Sequence, residues 1–106
     1  MKIPALKKMI RVAKKSNHQH RHCTLILKGG APIAIGYNHD GVHSEINAIK
    51  KLWPDKRRGV TIINLRITGS GRIGISKPCE DCLKFLLSQY VSKIWYTDEH
   101  GSWCEI

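Results

Sequence analysis

Two short stretches of this chain hold residue types suited to metal chemistry. His43-Ser44-Glu45 and Pro78-Cys79-Glu80-Asp81-Cys82 bring one imidazole, two thiols and a carboxylate to what read as two helix starts. At a helix start, free backbone N–H groups and the positive end of the helix dipole favour thiolate over thiol. Cys79 and Cys82 are three residues apart, so one face of a first turn carries both and can grip one ion. With His43 they make a tetrahedral zinc site whose fourth corner stays open to water, as in catalytic rather than structural sites. Zinc lowers the pKa of such a water towards neutrality. Glu45 stands two residues beyond His43, close enough to stay beside the ion without binding it. It is the candidate proton carrier, acting first as base and then as acid. Hydrolytic removal of an amine from an aminopyrimidine or aminopurine ring requires those two transfers.

The pattern H-x-E followed by P-C-x-x-C is the signature of the zinc nucleobase deaminases, and HSE with PCEDC match every fixed position. On these residues the chain resembles the cytidine/deoxycytidylate deaminase superfamily. Histidine as first ligand is similar to the deoxycytidylate, tRNA-adenosine and polynucleotide-cytosine branches, whereas free-cytidine deaminases usually place cysteine there. The resemblance implies that Asn38 contacts the substrate's sugar or base, and that Ala48 is the small helix residue after the glutamate. It implies that the backbone of Ser76, Lys77 and Pro78 lines the pocket and that the resident cofactor is Zn2+. The implied reaction converts a cytosine nucleotide or nucleoside of the CMP or dCMP type to its uracil form, with release of ammonia. A base in single-stranded DNA or RNA is the alternative substrate. A zinc-binding interaction module without turnover is a third reading, which an intact Glu45 opposes.

Each signal has a plainer counterpart. PCxxC alone could be half of a structural zinc site, but no second CxxC is present, and Cys23 or Cys104 would have to complete it. Both read instead as small core residues, Cys104 partly exposed. A glutamate after a helix-opening residue is commonly a first-turn acid favoured by the dipole, and asparagine is commonly a turn residue. The tract His18, His20, His22 reads as a solvated loop near the phosphate side, with no ligand role assigned. The Gly-rich GSGRIG lacks the lysine and hydroxyl of a phosphate loop.

The elements that must position these residues follow from periodicity. Residues 3–15 place Ile3, Leu6, Met9, Ile10 and Ala13 at helical spacing. Residues 23–28 and 31–38 form a hairpin about Gly29-Gly30. A second helix is predicted over 43–53, with Ile46, Ile49, Leu52 and Trp53 as its buried stripe and Pro54 ending it. Residues 59–68 read as a central strand, 69–78 as a loop, and 79–90 as a helix with Leu83, Leu86, Leu87 and Tyr90 on one face. Residues 92–97 add a strand parallel to 59–68 through a right-handed crossover. The expected class is α/β, a mixed sheet of four to five strands packed with about three helices in three layers.

The chain, 106 residues long, is expected to be a single domain over 1–106. Hydrophobic content of 42% excludes a disordered segment, and no run is long enough to span a bilayer. Lys7, Lys8 and Arg11 break any secretory apolar run, so a cytoplasmic protein is expected, with no membrane partner. The net charge of +10, with eight Lys or Arg and no acid in residues 1–30, attracts phosphate on a nucleotide or on a single strand. Superfamily members commonly carry a fifth strand and further helices. Here GSWCEI could supply a short edge strand, and an open edge invites a homo-oligomer.

Overall fold

The two most apolar runs, CTLILK and TIINLRI, become neighbouring central strands because both of their faces need cover. The structure, a computed structural model, describes residues 3–106. Strand β1 (Arg21–Lys28) pairs antiparallel with β2 (Ala31–Tyr37) and with β3 (Thr61–Ile67). Strand β4 (Lys93–Thr97) pairs parallel with β3, and β5 (Trp103–Glu105) closes the far edge antiparallel to β4. The order across the sheet is β2-β1-β3-β4-β5. The mixed α/β class, the crossover and the edge strand at GSWCEI all match the expectation. The hairpin turn places Gly29 and Gly30 at φ 58° and 81°, where only glycine is unstrained at consecutive positions.

Side chains alternate across this sheet with a period of two. Cys23, Leu25, Leu27, Ile63, Leu65 and Ile67 pack with Met9, Val12 and Ala13 of helix α1 (Leu6–Ala13). Ile26, Ile62 and Ile94 point the other way. They pack with Ala48 and Ile49 of helix α2 (Ser44–Ile49) and with Leu86 of helix α3 (Glu80–Ser88). Three layers result, with α1 alone on one face. None of the described helices is long and apolar enough to cross a membrane.

The helices are shorter than the periodicity predicts. Ala5 takes a left-handed conformation (φ 59°), so α1 begins at Leu6 and Ile3 is buried from outside it. Helix α2 tightens where Lys51 and Leu52 donate to carbonyls three residues back. Trp53 is then extended (φ −58°, ψ 144°) before a 3₁₀ turn at Pro54–Lys56, as the ring of a following proline requires. Trp53 is therefore not part of a buried stripe but 78% exposed. Leu87 and Tyr90 are likewise 54% and 65% exposed: Leu87 lies on α3 beside the buried Leu86 but faces outward, and Tyr90, at φ 60°, lies beyond the end of the helix.

Candidate active site

His43 and Cys79 are the residues that open α2 and α3, both extended, at ψ 152° and 163°. A tight turn in which His39 and Val42 exchange backbone hydrogen bonds (3.1 and 2.8 Å) sets the approach to His43. Across the gap, His43 Nδ1 lies 3.1 Å from Cys82 Sγ and 3.6 Å from Cys79 Sγ. The three potential ligand atoms all fall within 4.8 Å of one another. A tetrahedral ion with Zn–S of about 2.3 Å and Zn–N of about 2.0 Å needs N···S separations of roughly 3.6 Å. The residues present thus fit one zinc-sized ion and could hold it.

The electrostatics at Cys82 run against the thiolate that a helix start favours. Burial raises the pKa of the Cys82 thiol, and the neighbouring Glu45 carboxylate and Cys79 raise it further. The Cys82 thiol therefore resists ionising until a cation sits beside it, and a divalent ion reverses that preference. Cys79 Sγ already accepts a hydrogen bond from the Cys82 backbone N–H at 3.4 Å, the first-turn contact its helix position offers.

Glu45 is only 4% exposed, and its Oε1 accepts a 2.8 Å hydrogen bond from Ser44 Oγ. Behind it runs a buried polar chain. Ser44 Oγ lies 2.8 Å from Thr24 Oγ1, which donates to Asn64 Oδ1 at 2.6 Å. Asn64 Nδ2 donates to the Ser76 carbonyl at 3.3 Å, and Ser76 Oγ donates back to the Asn64 carbonyl at 2.9 Å. Ser76 Oγ also lies 2.7 Å from Thr97 Oγ1. The carboxylate is thus tied through β1 and β3 to β4.

His43, Glu45 and Cys79 line a cavity of about 410 Å³, a size suited to one small ligand. The rest of its wall includes Arg66, Lys77, His18, His20, His22 and His39, with Asp40 as its one acid besides Glu45. Arg66 Nη2 lies 2.7 Å from His20 Nδ1, while the buried Arg66 Nε has no partner. Burial, then the nearby Arg66, then His20, His43 and His18, lower the His22 pKa to about 4.

Of the residues expected at a substrate, Asn38 and Lys77 line the cavity; Ser76 and Pro78 are not among its lining residues. Ser76 is buried in the polar chain just described, and Pro78 is also buried. The Asn38 side chain bonds the backbone of β1 and the residue before it, accepting from His22 N at 2.8 Å and donating to the His20 carbonyl at 2.6 Å. Sequence reasoning did not single out Thr24, Asn64, Ser44 or Arg66. The available signal was a polar residue inside an otherwise apolar strand: Thr24 in CTLILK, Asn64 and Arg66 in TIINLRI.

No family model matches the chain, and no curated protein sequence does either. Solved structures do. A dCMP deaminase from the cyanophage S-TIM5, in apo form, matches with a TM-score of 0.61 and 19% identity over 93% of this chain and 86% of that one. Two crystal forms of Acinetobacter baumannii RibD match with a TM-score of 0.58 and 18% identity over 83% of this chain. The chain spans only 25% of the RibD length. The fold of this chain, with its His/Cys/Cys cluster at two facing helix starts, is cytidine-deaminase-like.

Proposed function

We propose that the chain is a zinc-dependent hydrolytic deaminase of a cytosine nucleotide of the CMP or dCMP type. The observation that carries this is the convergence of His43 Nδ1 and both thiols within 4.8 Å of one another, beside a cavity lined by His43, Cys79 and Glu45. His43, Cys79 and Cys82 would hold the ion. Bound zinc supplies a water acidified enough to attack the amine-bearing ring carbon at neutral pH. Glu45 would take one proton from the attacking water and pass it to the ring nitrogen, then take the proton of the new C–OH group and pass it to the amine, so that the C–N bond breaks and ammonia leaves. Ser44 holds the carboxylate in place for both transfers.

Arg66 and Lys77 are the cationic side chains of the cavity wall, and they suit a phosphate on the substrate. Asn38 lines the same cavity and has one amide hydrogen and one lone pair left for a sugar hydroxyl. The likeness to a dCMP deaminase supports this substrate class. Self-association along the outer edge of β2 or β5 belongs to the same proposal.

The test is an ammonia and product-base assay on zinc-loaded protein with cytidine, CMP, dCMP, dCTP, adenosine, guanine and a cytosine-containing single strand. Turnover of CMP or dCMP, with cytidine much poorer, is expected. Turnover of the strand alone would replace the metabolic reading with an editing one. No turnover in a metal-replete sample would leave a zinc-binding module.

A further inference from the structure

Helices α2 and α3 both open at the His/Cys/Cys cluster and run to a far pole, roughly 9 Å on for six-residue α2 and 13 Å on for nine-residue α3. That far pole has a character of its own. After a single acid at Asp55 come three consecutive cations, Lys56, Arg57 and Arg58. Among the described residues, none of these cations makes an ion pair. Lys56 and Arg58 are exposed, and so is Lys93, whose strand position is beside Thr61 at the start of β3.

Trp53, 78% exposed, follows Leu52, and Tyr90, 65% exposed, follows Gln89. Arg57 joins their neighbours: its Nε donates to the Leu52 carbonyl at 3.1 Å, and its Nη1 to Gln89 Oε1 at 3.1 Å. The guanidinium of Arg58 lies over the Tyr90 ring, 4.8 Å from its centroid. Trp53 is held out by the extended backbone before Pro54 and by the 2.8 Å bond from Lys56 N to its carbonyl. Solubility accounts for the cations. Two largely exposed aromatic rings, Trp53 and Tyr90, add planar apolar surface to that stretch.

We propose that this pole binds single-stranded nucleic acid, with a base stacked on Trp53 and phosphates carried by Lys56, Arg58 and Lys93. Planar apolar surface amid unpaired cations fits a chain whose bases are open, since every base has a face to stack and every linkage a charge. A duplex hides those faces and offers only phosphates. The surface lies away from the cavity and takes no part in the chemistry proposed there, so it stands or falls separately.

Fluorescence anisotropy tests it, with labelled oligo-dT and oligo-U of about 15 nucleotides, a duplex of equal length, and phosphatidylcholine/phosphatidylglycerol vesicles. Single strands should bind more tightly than duplex, with affinity falling as salt rises; the DNA and RNA arms identify which strand is preferred. Trp53→Ala should weaken strand binding by about tenfold or more, and Trp53→Phe should restore most of it. Lys56→Glu with Arg58→Glu should flatten the salt dependence, by about 0.7 in log–log slope for each phosphate that is no longer neutralised. Unfolding midpoints of the variants should stay near that of the parent. Equal binding of duplex and strand with no effect of Trp53→Ala would overturn the proposal, as would binding to vesicles alone. So would strand binding abolished by Arg66→Ala but untouched by Trp53→Ala, which would put the strand in the cavity.

Discussion

The Ser44 hydroxyl donates to the Glu45 carboxylate at 2.8 Å and lies at the same distance from Thr24 Oγ1. Adjacent residues at the start of α2 thus divide the work, one facing the cavity and the other anchoring it to the sheet. Both are buried, so the contact is made out of competition with bulk water, where an unmade bond is costly. Ser44→Ala should lower stability by about 1–2 kcal/mol and reduce kcat about tenfold while leaving zinc content intact. A urea midpoint, a metal assay and steady-state kinetics on the same sample check this. Unchanged kcat would mean that Glu45 is held by something else.

Glu45→Gln keeps the size and a hydrogen-bonding oxygen but cannot carry a proton. Stoichiometric zinc with deamination reduced about a hundred- to ten-thousand-fold is the expected outcome. Metal analysis beside a single-turnover assay gives both numbers, and a normal rate would move the proton role to another group.

Gly36 on β2 is where α2 touches the sheet. A Cβ there would meet Ala48 N and Asn47 Oδ1 at 2.6 Å and Ala48 Cα at 2.8 Å. Backbone cannot yield as a side-chain tip can, so Gly36→Ala must push the helix outward at about 1–3 kcal/mol. Because α2 carries Glu45 and follows directly on His43, zinc affinity should fall with stability. Competition with a chromogenic chelator measures the first and chemical denaturation the second. Loss of stability with unaltered affinity would show that the helix repacks without moving its tip.

His22 makes stability pH-dependent. Its folded pKa is lowered to about 4, mainly by burial and then by the Arg66 charge, against about 6.5 in the unfolded chain. Between those values the unfolded state binds the extra proton, so stability should fall as pH drops from about 6.5 to about 4 and be level above that window. Partial exposure discounts the effect to about 1–2 kcal/mol. Urea midpoints across the window, compared with His22→Gln, isolate it. An identical slope in the variant would assign the loss to other groups.

Much of this was legible in the chain. The central strands announced themselves as apolar runs, the crossover followed from strand-helix-strand order, and the His/Cys/Cys group from spacing at two helix starts. Helix length was less legible. Apolar residues at helical spacing continued through Trp53, but α2 ends at Ile49, where the bonds of Lys51 and Leu52 tighten to three residues back, and Pro54 then holds Trp53 extended. The polar chain from Glu45 to Thr97 was not legible, since it joins side chains from β1, β3 and β4 that meet only once register is fixed. The same holds for Arg66, which becomes a cavity residue through its place near the end of β3.

Helix α1 sits on the face of the sheet turned away from α2 and α3, yet Asn17, His18 and His20, which follow it, help to line the cavity. The entrance is therefore hung from a core that the reacting groups never touch. Trimming Met9, wholly enclosed beneath that helix, would loosen the footing of that part of the cavity wall while His43, Cys79 and Cys82, on the opposite layer, keep their place.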